Sequence, residues 1–384
     1  MAKDLSALIR KIEKNLGGGA KISSLADAAT PYHVKRPTGI LSLDLALRGG
    51  FPAGSLHQIH GPDGVGKDFI TNRIIAENQR IYGEDSCVFW MSFGYPPDRT
   101  HMRFSGVQVA YTDNDLIGLG YSKDSLDKVD PAVRGSTVGN IFLIDLNQVT
   151  LSEKPAETLL DGVLELIASN ECQIGIINEL GSGETRHNVV KNLGEDPRMA
   201  AWSGLMTQFL QKMYTKLRVP KDDGSPNEST LFALNPQRAN LNAMSAKFKP
   251  TVAGGGFALK HAKTVDLHMK DLGSLRKGTE VIGKKVGWVI SKGKHGIAEG
   301  ANGMYEFHSA TGVDLVLDLA RVAKAYGHIR NRGRHNYILD NPEPITGGFD
   351  DGVMPLVRAS EDLQRRLREA VLHGAAGDAN AGDD

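Results

Sequence analysis

The chain has 384 residues, of which 40% are hydrophobic and 23% charged, and its formal net charge is zero. These values describe an ordinary globular protein that can hold one large α/β domain and one or two smaller ones. Because the charges balance, no global field would attract a polyanion, so any nucleic-acid-binding surface must be local.

The two cysteines and the lengths of the apolar runs bear on where the protein resides. Cys87 and Cys172 lie inside apolar stretches, so we interpret them as buried thiols rather than as a disulfide or a metal site. No apolar run reaches the roughly 20 residues that a membrane-spanning helix needs, and residues 1–15 lack the pattern of a signal peptide. We therefore expect a cytoplasmic protein with no membrane partner.

The first 35 residues have a pattern of their own. Apolar residues recur at the spacing of one helix face between Leu5 and Leu16, and glycines follow at 17–19. An isolated amphipathic helix needs a partner for its apolar face. We predict that residues 1–35 are an N-terminal helix and oligomerisation segment.

Residues 36–298 alternate short apolar runs with helical stretches, and a polar interruption at 107–139 is interpreted as an insertion. This alternation predicts an α/β core, a mostly parallel twisted sheet with helices on both faces and ligands at the carboxyl ends of the strands. Residues 299–373 are expected to form a small α-rich C-terminal domain, and 374–384 a disordered acidic tail. The predicted strands are "SLHQIHG", "SCVFWMS", "NIFLID", "QIGIIN", "STLFALN", "TVDLHM" and "KVGWVIS".

The stretch "HGPDGVGKDF", which begins at His60, is close to a phosphate-binding loop. Gly61, Gly66 and Lys67 have the required spacing, but Asp68 stands where the pattern has serine or threonine. A strand before the loop and a long helix after it favour a nucleotide site over a mere turn, because backbone amides and the positive helix end would surround an anion.

The Mg²⁺ partner of such a site normally includes an aspartate at the end of a later apolar strand. "NIFLID" ends in Asp145, and "QIGIINE" ends in Asn178 and Glu179. Asp145 is the better motif, but we expect "QIGIIN" to be the more central strand and therefore rank Asn178 first.

A basic segment runs from Arg238 to Lys294, with twelve Lys/Arg against three Asp/Glu, a net charge of +9 in a neutral chain. Such segregation is typical of a surface for a phosphate backbone, although an ordinary solvated face has the same composition. Within the segment, Lys247 and Lys249 flank Phe248 ahead of three glycines, a pattern that favours a DNA-binding loop.

Six stretches carry a wider pattern: "IEKNLGGGAKISSL", "RPTGILSLDLALRGGFPAGSLHQIHGPDGVGKD", "RMAAWSGLMTQFLQKM", "LFALNPQR", "GGGFALK" and "VISKGKHG". Together they resemble the RecA-type homologous recombinases from the N-terminal helix to the C-terminal domain. The resemblance implies a RecA-like ATP- and Mg²⁺-dependent helical homo-oligomer on single-stranded DNA, which it pairs with homologous duplex DNA. The divergence suggests a bacteriophage or mobile-element version.

The resemblance also implies roles for individual residues. The ATP-binding residues would be Gly61, Pro62, Asp63, Gly64, Val65, Gly66, Lys67 and Asp68, joined by Lys292 and Lys294 at the neighbouring subunit's ATP. The DNA-binding residues would be Met199, Gln237, Arg238, Lys247, Lys249, Gly255 and Gly256, in or beside loops at 183–198 and 237–256. The Mg²⁺ residues would be Asp68 and Asn178, and the catalytic ones Lys67 and Glu179.

Three positions depart from the family in one site. Asp68 replaces the hydroxyl, Asn178 the strand aspartate and Phe93 the glutamate that activates water, while the family's γ-phosphate-sensing glutamine aligns with Pro236, with Gln237 one place on.

One interpretation of these departures is an exchange, in which Asp68 and Asn178 still supply one carboxylate and one neutral oxygen to Mg²⁺. The other is decay of a site no longer used for hydrolysis. Either way we expect slow or absent hydrolysis, with Glu179 or Asp145 as the available substitute for the missing glutamate.

Three functions remain open at this point. The first is an ATP-dependent recombinase, a DNA-dependent ATPase with slow turnover. The second is a non-hydrolysing accessory protein that coats single-stranded DNA. The third is an ATPase of the same fold that remodels another protein such as a helicase, but that function would not need the basic loop before "GGFALK" or the N-terminal helix.

Overall fold

The structure, a computed structural model, describes residues 10–12, 14–15, 31–144, 156–183, 185, 199–239, 251–253 and 256–380. Residues 10–12 and 14–15 are helical, and the rest of the predicted N-terminal helix lies outside the described residues.

The strands and helices follow the predicted alternation. The strands are β1 (Lys35–Arg36), β2 (Phe51–Pro52), β3 (Leu56–Gly61), β4 (Cys87–Ser92), β5 (Asn140–Ile144), β6 (Ile174–Asn178), β7 (Thr230–Ala239), β8 (Thr251–Ala253), β9 (Val265–Lys277), β10 (Glu280–Gly293), β11 (Asn302–His308), β12 (Gly312–Val313), β13 (Ile329–Arg332), β14 (His335–Ile338) and β15 (Ile345–Thr346). The α-helices are α1 (Leu41–Ala46), α2 (Lys67–Tyr82), α3 (Arg99–Phe104), α4 (Asp113–Gly118), α5 (Pro131–Arg134), α6 (Ala156–Ser169), α7 (Met199–Leu217), α8 (Gly256–Ala262), α9 (Leu315–Ala325), α10 (Met354–Ala359) and α11 (Glu361–Asn380).

One large sheet organises the core. Its strands lie in the order β12-β11-β10-β9-β3-β7-β6-β4-β5, with β8 paired to β7. The pairs from β9 through β3, β7, β6 and β4 to β5 are parallel, and β10 and β11 extend the sheet antiparallel. The predicted α/β fold class is therefore confirmed. The segment "QIGIIN" is β6, between β7 and β4, whereas β5 is the edge strand, as expected.

Helices bury the apolar side chains of both sheet faces. On one face, Phe69 and Ile74 of α2 pack with Ile59 and Leu234. On the other, α6 and α7 cover a second cluster of sheet residues that includes Ile177. Each fully buried side chain of this size contributes about 1.5–3 kcal/mol relative to exposure. The two layers fix the carboxyl ends of the strands, where the candidate site lies.

A buried turn explains the phrase "TGILSLD". Asp44 accepts hydrogen bonds from Thr38 N at 2.8 Å, Thr38 Oγ1 at 2.9 Å and Gly39 N at 2.9 Å. Burial raises the pKa of the Asp44 carboxyl to about 7, against the lowering effect of these donors. Gly39 has φ +75°, and a Cβ there would lie 2.4 Å from Arg73, so glycine is required. The phrase thus specifies a turn that places α1 against the body of the protein.

The C-terminal part differs from the expectation in two ways. The main sheet continues beyond residue 298 with β11 and β12, and a three-stranded sheet, β13–β15, follows the helix α9. The last helix runs to Asn380, so residues 374–380, expected to be disordered, are helical; alanines at 375, 376 and 379 favour this conformation. Among the described helices, none has the length and apolar character to span a bilayer.

The polar interruption at 107–139 lies between β4 and β5. It contains the short helices α4 and α5 and a 3₁₀-helix over Lys123–Lys128. It contributes few residues to the apolar core, among them Val107, Val109 and Leu116. The segment is therefore largely a surface connection between two neighbouring parallel strands.

Candidate functional site

The predicted phosphate loop forms a tight turn between β3 and α2. Gly64 has φ +68° and Gly66 has φ +92°, the left-handed region in which glycine is favoured. A Cβ on Gly61 would lie 2.7 Å from the backbone oxygen of Met269, so that position also requires glycine. Pro62, Asp63, Val65, Lys67 and Asp68 complete the loop and begin the helix.

The Lys67 ammonium lies inside this loop. Its Nζ donates to the carbonyl oxygens of Gly61 at 3.2 Å and Pro62 at 2.9 Å, and lies 3.6 Å from the exposed carboxylate of Asp63. These partners are loop groups that a bound anion can replace. The positive end of α2 points at the same place, so the loop has the geometry of a phosphate site.

A cavity of about 260 Å³ adjoins the loop. The loop and the start of α2 form one wall, and side chains of β10, β11 and α3 form the others. The residues beyond the loop that line it are His101, Lys284, Val286, Tyr305, Phe307 and Ser309. Its aromatic and apolar character suits a planar base next to phosphates. No sequence pattern indicates this wall, because its members are far apart in the chain.

Asp68 opens onto this cavity and is solvent-exposed, but a concave wall of protein surrounds it. Desolvation by that wall raises the pKa of its carboxyl; His101 and Lys67 oppose the shift, and the Glu179 carboxylate adds to it. A carboxylate is therefore costly at this position unless a cation is near it.

Asn178 and Glu179 end β6 beside the end of β4. Asn178 Nδ2 donates to Ser92 Oγ at 3.1 Å. Glu179 has φ +55°, a left-handed conformation that costs energy for a non-glycine residue. Its carboxylate lies against Gly94, where an added Cβ would be 2.6 Å from Oε1. The Glu179 carboxylate therefore lies beside Gly94, the residue that follows Phe93.

The Phe93 side chain packs against helix α7. Its ring meets the Trp202 ring edge to face, with centroids 5.7 Å apart. Gly183 lies against both rings, since an added Cβ would be 2.3 Å from Trp202 and 2.9 Å from Phe93. Phe93 is thus part of an aromatic contact between the end of β4 and α7.

The carboxylates of Asp68 and Glu179 could hold a cation only if a bound ligand supplied further oxygen atoms. Within the described ranges, no group of three His, Cys, Asp or Glu side chains could hold a metal ion by itself. Asp68 and Glu179 are close enough to influence each other electrostatically, and a cation would relieve that repulsion. Mg²⁺ is usually held by one or two carboxylates plus phosphate oxygens and water, so these residues fit Mg²⁺ together with a nucleotide. Asp145 lies outside the described residues.

A buried polar row lies under the loop. The rings of His60 and His268 stack with centroids 4.7 Å apart, and Gln237 Nε2 lies 2.6 Å from His268 Nε2. Asp266 lies 3.2 Å from His60 Nδ1 and 2.6 Å from Lys263 Nζ. Burial lowers the pKa of His60 to about 4. The sequence signal for this row is the alternation of polar with apolar residues in strands β3 and β9.

The chain is similar to RecA in comparisons with known proteins. A family model, the RecA N-terminal domain, matches residues 3–111. Protein RecA of Nostoc sp. (strain PCC 7120) is 25% identical over 388 residues, covering 99% of this chain and 92% of that protein. Protein RecA of Prochlorococcus marinus (strain MIT 9303) is 25% identical, with 99% and 87% covered. Protein RecA of Synechococcus elongatus is 26% identical, with 98% and 92% covered. The chain is thus similar to RecA proteins over nearly its whole length.

In this RecA-like chain, Lys292 and Lys294 stand at the C-terminal end of β10, whereas Lys284 of the same strand reaches the phosphate loop. Lys292 is eight positions from Lys284 along β10, roughly 25 Å at about 3.3 Å per residue. Its Nζ donates to the carbonyl oxygens of Lys260 at 2.8 Å and His261 at 3.2 Å. Burial lowers the pKa of Lys292, and the neighbouring Lys294 lowers it further. A role at another subunit's ATP stays a prediction.

The RecA-like DNA-binding positions are placed in part. Gln237 and Arg238 lie on β7, where they pair with Ala253 and Val252 of β8. Met199 begins α7 and Gly256 begins α8. Lys247, Lys249 and Gly255 lie outside the described residues, as does most of the predicted first loop.

The basic segment is not a single surface. Lys263 is buried in its ion pair with Asp266 at 2.6 Å, and Lys284 reaches the phosphate loop, with Nζ 3.0 Å from Gly64 O. Part of the net charge that suggested DNA binding therefore lies in the core and at the phosphate loop.

Proposed function

We propose that this protein is a RecA-like recombinase. It binds ATP with Mg²⁺ at the phosphate loop, forms a homo-oligomeric helical filament on single-stranded DNA, and pairs that strand with homologous duplex DNA for strand exchange. Hydrolysis is slow. The protein acts in the cytoplasm, where single-stranded and duplex DNA are found. The bacteriophage or mobile-element origin suggested by the sequence divergence stays a prediction.

The observation that carries the proposal is the order of three strands. β3, β7 and β6 are parallel neighbours, so the segments that follow them leave the same edge of the sheet. The first segment is the phosphate loop, the second is the predicted DNA loop after Gln237, and the third leads to the predicted loop at 183–198. Nucleotide and DNA would thus bind to connected segments of one edge.

Each residue of the nucleotide site has a role in this proposal. Lys67 and the loop amides bind the phosphates, and the cavity beside α2 accepts the base. Asp68 and Asn178 hold Mg²⁺, which when bound neutralises the phosphate charge. Glu179 orients the attacking water in place of a glutamate at Phe93. Its strained conformation beside Gly94 supports this assignment.

A second candidate function is a non-hydrolysing protein that coats single-stranded DNA. The observation in its favour is the packing of Phe93 on Trp202, since an aromatic ring cannot activate water. The two candidates share filament formation and differ in turnover.

A DNA-stimulated ATPase assay beside a strand-exchange assay distinguishes them, with Lys67→Ala as the nucleotide-site control. We expect slow ATP turnover, stimulated by single-stranded DNA, and strand exchange that Lys67→Ala abolishes. Filaments without turnover or exchange would favour the coating protein, and the absence of both ATP binding and DNA binding would contradict the proposed function.

A further inference from the structure

Lys284 brings a second ammonium group to the phosphate loop from a distant strand. It lies on β10, opposite Ser274 of β9 and Phe307 of β11. Its Nζ lies 3.0 Å from the carbonyl oxygen of Gly64, and a Cβ built on Gly64 would be 3.6 Å from that nitrogen. The side chain therefore reaches the apex of the loop.

Lys284 and Lys67 border the same cavity. Lys67 binds the base of the loop through the carbonyl oxygens of Gly61 and Pro62, while Lys284 binds its apex. An ammonium group has three donors, and Gly64 accepts one from Lys284. The loop is thus bracketed by two cations that retain the capacity to bind an anion.

The cavity that Lys284 borders is also lined by Asp68. Asp68 brings a carboxylate to the same cavity, where the family's pattern has a neutral hydroxyl. Lys284 adds one positive charge to that cavity. This charge compensates for the Asp68 carboxylate and favours an anionic ligand. A lysine acts as a point charge that can follow phosphate oxygens.

We propose that Lys284 is a phosphate-binding residue of this site. Its ammonium group exchanges the Gly64 carbonyl for the phosphate chain of the nucleotide, and its positive charge balances the negative charge of Asp68. The inference rests on the proposed nucleotide binding. It predicts that affinity contributed by Lys284 depends on the number of phosphates in the ligand. A purely structural role, latching the loop, would affect all ligands of the cavity alike.

The test is equilibrium binding of ATP, ADP and adenosine to the full chain in Mg²⁺. Lys284→Gln removes the charge but keeps a donor for Gly64, and Lys284→Arg keeps the charge. Lys285→Gln is the matched control, since Lys285 is the exposed neighbour on the same strand and the change in net charge is identical. Thermal unfolding of each variant checks the fold.

We expect Lys284→Gln to weaken ATP binding roughly tenfold, the scale of one charge-assisted contact. ADP should be affected less and adenosine hardly at all, and Lys284→Arg should recover most of the lost affinity. Equal ATP affinity for Lys284→Gln and Lys285→Gln would overturn the inference, as would an equal loss for all three ligands. If the unaltered chain binds no ATP, the proposed nucleotide site itself fails.

Discussion

At the start of α2, Asp68 stands where the phosphate-loop pattern has a hydroxyl, and at the end of β6 Asn178 stands where a carboxylate is expected for Mg²⁺. If the two have exchanged roles, each reversion alone is harmful. Asp68→Thr leaves Mg²⁺ without this carboxylate, and Asn178→Asp adds a negative charge beside a triphosphate. The double variant should recover ATP affinity, with a coupling of roughly 1–3 kcal/mol.

The measurement is Mg²⁺-dependent ATP binding by the four proteins of this cycle. Additive effects, within about 0.5 kcal/mol, would show that the two side chains do not share a cation. Asp68 would then be evidence of an eroded site. Hydrolysis should stay slow in the double variant, because Phe93 still packs on Trp202 and supplies no carboxylate.

Glu179 is the residue on which slow hydrolysis should depend. Glu179→Gln should lower single-turnover hydrolysis by roughly 10²-fold, the scale of general base catalysis. ATP affinity should stay equal or rise, since the Glu179 charge disfavours the ionised form of Asp68. Glu171→Gln, an exposed site just before β6, is the control. Unchanged hydrolysis would remove Glu179 from the mechanism.

His60 should make stability depend on pH. Burial lowers its pKa to about 4, Asp266 opposes the shift, and His268, Lys263 and Lys67 add to it. The unfolded chain therefore binds the proton more readily, so the free energy of unfolding should fall as pH decreases from about 6.5 toward 4. The loss attributable to His60 is on the order of 1–3 kcal/mol.

The check is denaturant unfolding of the chain and of His60→Gln at several pH values. The variant should lose less stability on acidification, although the buried His57, with its pKa lowered by burial to about 3, keeps part of the effect. Parallel pH profiles would mean that His60 takes up its proton without unfolding.

At the scale of elements, the sequence predicted what local pattern determines. β3, β4, β6 and β7 are continuous apolar runs, and α2 follows glycines with a fixed spacing, so their types and positions could be inferred. The helical ending of α11 was not inferred because glycines and an aspartate stand among its alanines, and the strands β11–β15 could not be inferred since they depend on pairing with other elements. For the same reason the partnership of Lys284 with the phosphate loop, 220 positions away in the chain, has no local signature.

The segment after β7 should contribute much of the DNA affinity. Replacing Arg238, Lys247 and Lys249 by alanine should weaken single-strand binding and reduce the slope of log affinity against log salt by about 0.7 per lost phosphate contact. Lys123→Ala with Lys128→Ala, on the exposed connection before β5, is the control. An unchanged slope in the triple variant would place the DNA on another surface.

At the scale of the whole molecule, the proposed function requires a site that two subunits complete. Lys292 and Lys294 lie at the far end of β10 from the phosphate loop, and residues 1–30 precede the described body of the chain. The two lysines would have a role if subunits stacked so that the end of β10 in one subunit contacted the nucleotide of the next. Residues 1–30 would have a role in joining those subunits. Assembly, nucleotide and DNA would then be linked.

Electron microscopy on single-stranded DNA with Mg²⁺ and ATP tests this account most directly. The full chain should form continuous helical filaments that depend on ATP, and a chain lacking residues 1–30 should remain folded but form none. Filaments that form equally without nucleotide, or a full chain that stays as separate particles on DNA, would contradict it.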